Sequence, residues 1–212
     1  YQRRVREKTV KIAKVTKDYV QNKVDDVKLL LSPYKEEQVG SISLIEVASS
    51  QNSKIPLFVQ NCTNKILQQV ELEGIFRVPP DNELLQINSA KLVLNGDIDL
   101  NELDIFMCCS LLKRFYRCLQ PTLLNPIAAR TLRENKNNFT IANKIINDLP
   151  SPYKENMIFI LQFLNKIQAN SEKNQMDIQN LAIVFAPNFI DDYQLKDEEI
   201  IEFLIKYGQE LG

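Results

Sequence analysis

Apolar residues recur at helical spacing along almost the whole chain, and the residues that can interrupt a helix are few and sharply placed. Five glycines and nine prolines serve 212 residues, so the breakers divide the sequence into segments instead of dispersing through it. A stretch from about 3 to 31 lacks both, carries Val20, Val24, Val27 and Leu31 on one helical face, and is closed by Ser32-Pro33. Ser53 and Pro56 precede the stripe Ile55, Phe58, Val59, Cys62, Ile66 and Val70, which predicts a helix with proline in its first turn. Asp81 is expected to cap a short helix carrying Leu84, Leu85 and Ile87, and Asn95-Gly96-Asp97 reads as a turn.

A helix follows over about 104–119, another starts at Asn125-Pro126, and Phe139, Ile141, Ile145 and Leu149 mark a third. Ser151-Pro152 opens a long helix with the stripe Met157, Ile160, Leu161, Leu164 and Ile167. Asp177 is expected to cap a helix that passes Leu181 and Val184 and stops at Pro187, and Ile200, Phe203, Leu204 and Tyr207 mark the last. No segment of any length alternates as a half-buried strand would. The expected fold is all-α: a basic N-terminal helix over 1–33, then a helix bundle with short connections over 34–212.

Several chemistries are excluded by what is missing. The chain has no histidine, which removes His-based triads, His general bases and His-ligated metals together. Its four cysteines, Cys62, Cys108, Cys109 and Cys118, include no CxxC pair, so they read as reduced, partly buried thiols; no metal site is expected. No GxxxxGK[ST] phosphate loop is present. The opening Tyr1-Gln2-Arg3-Arg4 runs into charge, unlike a signal peptide, and no apolar run approaches the length of a bilayer span. A cytoplasmic protein is expected.

Charge is unevenly spread. Residues 1–17 hold seven lysines and arginines against the single acid Glu7, while the remainder carries an excess of acids. An acidic body speaks against nucleic acid as a partner. The basic arm has two readings, a solvated helix face or a contact with anionic membrane that would recruit the protein there.

Two features stand out from the helical pattern. In the helix over 104–119, Ile105, Cys108, Cys109, Leu112, Phe115, Tyr116 and Leu119 form one broad stripe, with Lys113, Arg114 and Arg117 opposite. Lys113 and Arg117 are spaced i,i+4, a mildly unfavourable pair of like charges unless an anion answers them. The second feature is ELEGIFRVPP, residues 71–80. Gly74 permits a sharp exit from the preceding helix, Ile75 and Phe76 can pin the loop by burial, and Pro79-Pro80 stiffen its far end. The loop therefore holds out Arg77, whose planar fork of donors suits phosphate oxygens but would equally pair with a neighbouring carboxylate such as Glu71 or Glu73.

Taken in order, EGIFRV, SLLKRFYRCLQPTLL, LPSPYKENMIFILQFL and NQMDIQNLAIVFAPNF resemble the Rho GTPase-activating (RhoGAP) domain family over roughly residues 40–205. The resemblance implies a helix bundle of the RhoGAP type that binds a Rho/Rac/Cdc42-type small GTPase in its GTP-bound state and accelerates hydrolysis. It implies that Arg77 is the arginine finger, that Lys113 and Arg117 support the finger loop and the GTPase-facing surface, and that Asn188 lies at the interface. GTP and Mg²⁺ would belong to the partner, with no cofactor held by this chain, which would be an activator and not itself a GTPase. A non-catalytic module that binds GTP-loaded GTPase as effector or scaffold is the alternative. Three departures from the family pattern are visible: Pro79-Pro80 where Ser-Gly is common, Gln120 where an acid is usual, and Ala186 where glycine is frequent.

Overall fold

A 13-residue helix, Ile105–Arg117, carries eight buried residues and sets the arrangement of its neighbours. The coordinates are a computed structural model that describes residues 40–94 and 98–212. The basic N-terminal helix expected over 1–33, its membrane reading and the turn at Asn95-Gly96-Asp97 lie outside the described residues. Residues 40–212 form one unit. In chain order its helices are α1 Leu44–Ser50, α2 Leu57–Leu67, α3 Asn82–Val93, α4 Ile105–Arg117, α5 Pro126–Glu134, α6 Phe139–Asp148, α7 Tyr153–Gln168, α8 Ser171–Asn174, α9 Ile178–Phe189 and α10 Asp197–Lys206. A 3₁₀ turn at Leu100–Glu102 precedes α4, and among the described residues there is no strand, only two isolated bridges.

Most starts follow from side chains that answer the unpaired N–H groups of a first turn. Asp81, Asp104, Asn125, Asn138 and Asp177 each accept from the N–H three residues on, at 2.9, 2.7, 2.9, 3.2 and 2.7 Å. Each such cap stabilises its helix by about 1 kcal/mol. The stripe through Val59, Cys62 and Ile66 buries α2 against α4, and α3 and α9 pack on α4 from other sides. Helix α9 lies against α7 and α10, so α4 and α9 together form the centre.

Two of the sequence expectations need correction. Helix α9 does not stop at Pro187 but runs on to Phe189. Proline removes its own N–H and crowds the carbonyl four residues back, that of Ile183, but Ile183 lies on the exposed side of the helix at 58%, where a displaced carbonyl can turn to water. Helix α2 is also shorter than its apolar stripe: it starts at Leu57, with Pro56 as its N-cap and not in its first turn, and ends at Leu67 before a series of turns through Val70. The short elements α1, α8 and the 3₁₀ turn have no counterpart in the sequence pattern, because seven residues or fewer show no resolvable period.

The bridges hold the exit of α4. Ile42 N–H donates to the Cys118 carbonyl at 2.7 Å, Gln120 N–H returns to the Ile42 carbonyl at 3.0 Å, and Leu124 N–H reaches the Phe189 carbonyl at 3.0 Å. The segment after Arg117 is thus tied to the ends of two other segments. Arg133 of α5 meets Asp197 at the start of α10, donating from Nε at 2.8 Å and Nη2 at 2.7 Å.

Asp197 is nearly buried, with a side chain 3% exposed. Burial alone would raise its carboxyl; the bonds from Arg133 and the Gln194 N–H outweigh that and hold it below the ordinary carboxylate value. A lowered folded pKa gives stability that is present above the unfolded value, near 3.8, and is lost as pH falls below it. Arg133→Ala, which leaves that carboxylate unpaired, should cost roughly 3 kcal/mol in urea unfolding at pH 7. In the variant burial raises the unpaired acid, so the loss should begin to shrink above 3.8 as that acid takes up its proton, and shrink further as pH falls through that window.

Candidate functional site: the loop that carries Arg77

Between α2 and α3 the chain makes a tight turn around Gly74. Its φ is +88°, and its carbonyl accepts from both the Arg77 N–H and the Val78 N–H at 2.9 Å. A side chain at this position would be strained by φ alone, and a Cβ would also meet the Val78 methyl at 2.6 Å. Gly74 N–H points the other way, toward the Asn174 carbonyl at 3.4 Å.

Ile75 and Phe76 are buried, as expected for anchors. Phe76 takes a left-handed backbone, φ +63°, which is unusual for a residue of its size. Its ring stands edge-on to Phe163 of α7 and Phe185 of α9, with centroids at 6.2 and 5.1 Å. From Phe185 the aromatic contacts continue through Phe189, Tyr116 and Phe115 to Phe58. The loop is therefore the end of a chain of ring contacts that starts in α2 and crosses α4 and α9.

Lys113 is not on a solvated face. It is half-buried, and its Nζ donates to the Phe76 carbonyl at 3.0 Å. Burial pushes its pKa below the usual lysine value. One helical turn earlier Cys109 is 1% exposed; burial raises its thiol to about 12, while the neighbouring Phe76 backbone N–H partly offsets that. Residues i and i+4 of one helix thus bracket the Phe76 peptide from below.

Arg77 itself is exposed. Among the described residues no hydrogen bond or ion pair engages its guanidinium. Glu71, one of the acids expected to compete for it, is held instead by Lys173 at 2.5 Å. Arg117 is exposed at the C-terminal end of α4, one turn beyond Lys113, and likewise has no charged partner among the described residues. Asn188 lies in α9 three residues after Phe185 and is 6% exposed, its Nδ2 donating back to the Val184 carbonyl at 2.7 Å. Gly74, Arg77 and Lys113 thus form one local assembly, Arg117 extends it along α4, and Asn188 sits in the adjacent helix turned onto its own backbone. Sequence pattern does not single out Cys109, Phe163, Phe185 or Asn174. The first three belong to ordinary apolar stripes, and Asn174 stands at the edge of a motif without a periodicity of its own.

No group of three or more Cys, Asp or Glu side chains among the described residues is placed to hold a metal ion, and none of their helices is long and apolar enough to cross a membrane. The RhoGAP domain model matches residues 56–194, well over half of the chain. The chain belongs to the RhoGAP domain family. Rho GTPase-activating protein 23 of Mus musculus is 32% identical over 155 residues, covering 67% of this chain and 10% of that protein. Rho GTPase-activating protein 12 of Mus musculus is 29% identical over 168 residues, covering 74% and 20%. The chain therefore spans only a tenth to a fifth of the length of these curated relatives. Human Rho GTPase activating protein 15 shares the fold, with a TM-score of 0.71 at 23% identity over 80% of this chain and 90% of that one.

For a RhoGAP loop built in this way, Lys113→Met should separate stability from order. The substitution removes the desolvation of an ammonium but leaves the Phe76 carbonyl without its donor. The relieved desolvation offsets part of the roughly 1–3 kcal/mol that an unpaired buried acceptor costs, so unfolding free energy should fall by only about 1 kcal/mol. Amide exchange at Arg77 and Val78 should nevertheless accelerate. Gly74→Ala should instead lower unfolding free energy by about 1–2 kcal/mol, the left-handed penalty for a residue with a Cβ.

Proposed function

We propose that this RhoGAP domain binds GTP-loaded Rho-family small GTPases and accelerates their GTP hydrolysis by lending them Arg77 in trans. The observation that carries the reading is the contrast within three consecutive residues: Ile75 and Phe76 are buried, while Arg77 is exposed and uncommitted among the described residues. Surface arginines usually have freedom of backbone, of side chain, or of both. Here the peptide is fixed on either side of the residue and only the side chain is left to move.

The chemistry asks for little more. In phosphoryl transfer the protein contributes mainly position and charge, since negative charge spreads over the γ-phosphoryl and leaving-group oxygens as the bond breaks. A guanidinium offers a permanent charge and two parallel N–H donors to those oxygens. GTP, Mg²⁺ and the attacking water would all be the partner's, and this chain would hold no cofactor. Lys113 would act on the loop through the Phe76 carbonyl and not on the nucleotide. Arg117 would face the GTPase surface, and Asn188 would join the interface once its amide turns from Val184. Gly74 would set the turn that presents the finger.

A binding-only module is separated from an activator by the same measurement. Phosphate release should be followed from a panel of GTP-loaded Rho-type GTPases with wild type and with Arg77→Ala. Wild type should accelerate at least one, and the alanine variant should lose on the order of 10³–10⁵ of the rate while retaining GTP-dependent binding. GTP-dependent binding with no acceleration by wild type would establish the effector or scaffold reading instead.

A further inference from the structure

We propose that Asn174 is a positioning residue for the Arg77 loop, acting as a strap across the segment that joins α2 to it; the inference rests on the activator reading above. Asn174 is 0% exposed, and every polar valence of it that the structure shows is used. Its Nδ2 donates to the Val70 carbonyl at 2.8 Å and to the Ile167 carbonyl at 3.0 Å. Its Oδ1 accepts from the Met176 N–H at 2.8 Å, across Gln175 in left-handed backbone at φ +60°. Its main-chain carbonyl receives the Gly74 N–H.

Val70 and Gly74 are the two ends of the short approach to the finger turn. Val70 is bonded to its side chain, which is itself bonded to α7 through Ile167, while Gly74 is bonded to its main-chain carbonyl at 3.4 Å, a tie that a side-chain substitution leaves in place. The finger loop therefore has three separate ties to the body. Lys113 holds the Phe76 carbonyl, the ring of Phe76 is held between α7 and α9, and Asn174 holds the approach. The first two act on Phe76, and the burial of Ile75 pins the residue before it, so the approach from Val70 is left to pivot about that pair. Asn174 removes that freedom.

The residue type is demanded by the pattern. Two donors and one acceptor at the end of one short side chain describe a primary amide. Aspartate would bring a buried charge against two carbonyls, and an apolar isostere would take from the Val70 carbonyl its donor, the Ile167 carbonyl keeping the Asn170 N–H at 3.1 Å. The Lys173–Glu71 pair beside it is exposed on both sides and adds little.

Because the finger engages only as the phosphoryl bond breaks, a pivoting approach should lower the maximal rate and spare binding. The experiment is single-turnover GTP hydrolysis by the most responsive GTPase of the panel, with the full chain titrated. Hydrogen exchange at the Arg77 and Val78 amides is read alongside it. Asn174→Ala should lower the maximal rate roughly 10- to 100-fold, the scale of a misplacement near 1 Å, with the half-saturating concentration almost unchanged. Exchange at both amides should quicken. Asn174→Ser, which keeps one hydroxyl, takes its place if the alanine variant does not fold.

Asn156→Ala is the control. Asn156 is equally buried in α7 and donates to the Lys54 and Pro152 carbonyls at 2.7 and 2.9 Å, neither of which belongs to the loop. It should lose thermal stability comparably and leave the maximal rate and both amides unaffected. An Asn174 variant with wild-type rate and wild-type exchange overturns the strap, as does an Asn156 variant that slows hydrolysis equally. If wild type accelerates no GTPase, the activator reading fails, and exchange at Arg77 and Val78 still decides whether Asn174 orders the loop.

Discussion

Phe76 lies in the left-handed region with its ring edge-on to Phe163 and Phe185, and the location of Arg77 follows from how that ring is held. The backbone there is unfavourable by about 1–2 kcal/mol for a residue with a Cβ. Burying a phenylalanine side chain contributes about 1.5–3 kcal/mol, and well-placed ring pairs add about 0.5–1.5. Burial wins, so the chain accepts the strained φ to keep the ring inside. Reversing direction at Phe76 is what turns the next residue outward. A glycine at this position would relax the backbone and lose the anchor, and the guanidinium would then have no fixed origin.

Electrostatics around the loop are arranged so that positive charge remains uncommitted. Glu71, six residues before Arg77, is occupied by Lys173 in an exposed pair worth at most about 1 kcal/mol, too little to matter for folding. Lys113 gains one bond to a carbonyl while burial works against its charge. On stability alone an apolar side chain would serve nearly as well. A cation at that place makes physical sense if the loop must be held and the surface above it kept positive, and an acidic partner site is the natural counterpart.

Most of the fold is legible in the sequence because caps and stripes agree. Asp81, Asp104, Asn125 and Asp177 each stand where the sequence places a helix start, and the stripes of α4 and α7 are buried as their spacing implies. The errors share one cause. Local rules misplace the helix ends at Pro187 and Val70, because the proline follows an exposed residue, Ile183, one turn back and the turn chemistry of the loop ends α2 early. In the site, Gly74 and the buried pair Ile75-Phe76 can be read directly, since glycine before two apolar residues has few uses. The half-burial of Lys113 cannot, because it depends on a loop from another part of the chain folding over α4. Asn174 is invisible for the same reason: apart from the Met176 N–H beside it, its side-chain amide and main-chain carbonyl meet residues 70, 74 and 167, and nothing in its own neighbourhood announces those.

The energetic weight of the ties can be compared with what an arginine lent in trans has to supply. A rate factor of 10³–10⁵ corresponds to roughly 4–7 kcal/mol of barrier. Fixing the backbone of one residue costs about 1–2 kcal/mol, so ordering Ile75, Phe76 and Arg77 only on contact would consume a similar amount. A loose loop bearing the same arginine would forfeit most of its advantage in becoming ordered. In this chain the ring contacts, the Lys113 bond and the Asn174 bonds meet that requirement during folding, and Pro79-Pro80 limit the exit as well. Only the arginine side chain is left to order at an encounter, at no more than about 2 kcal/mol. On this reckoning the rigidity beneath Arg77 matters to the proposed activity as much as its charge does.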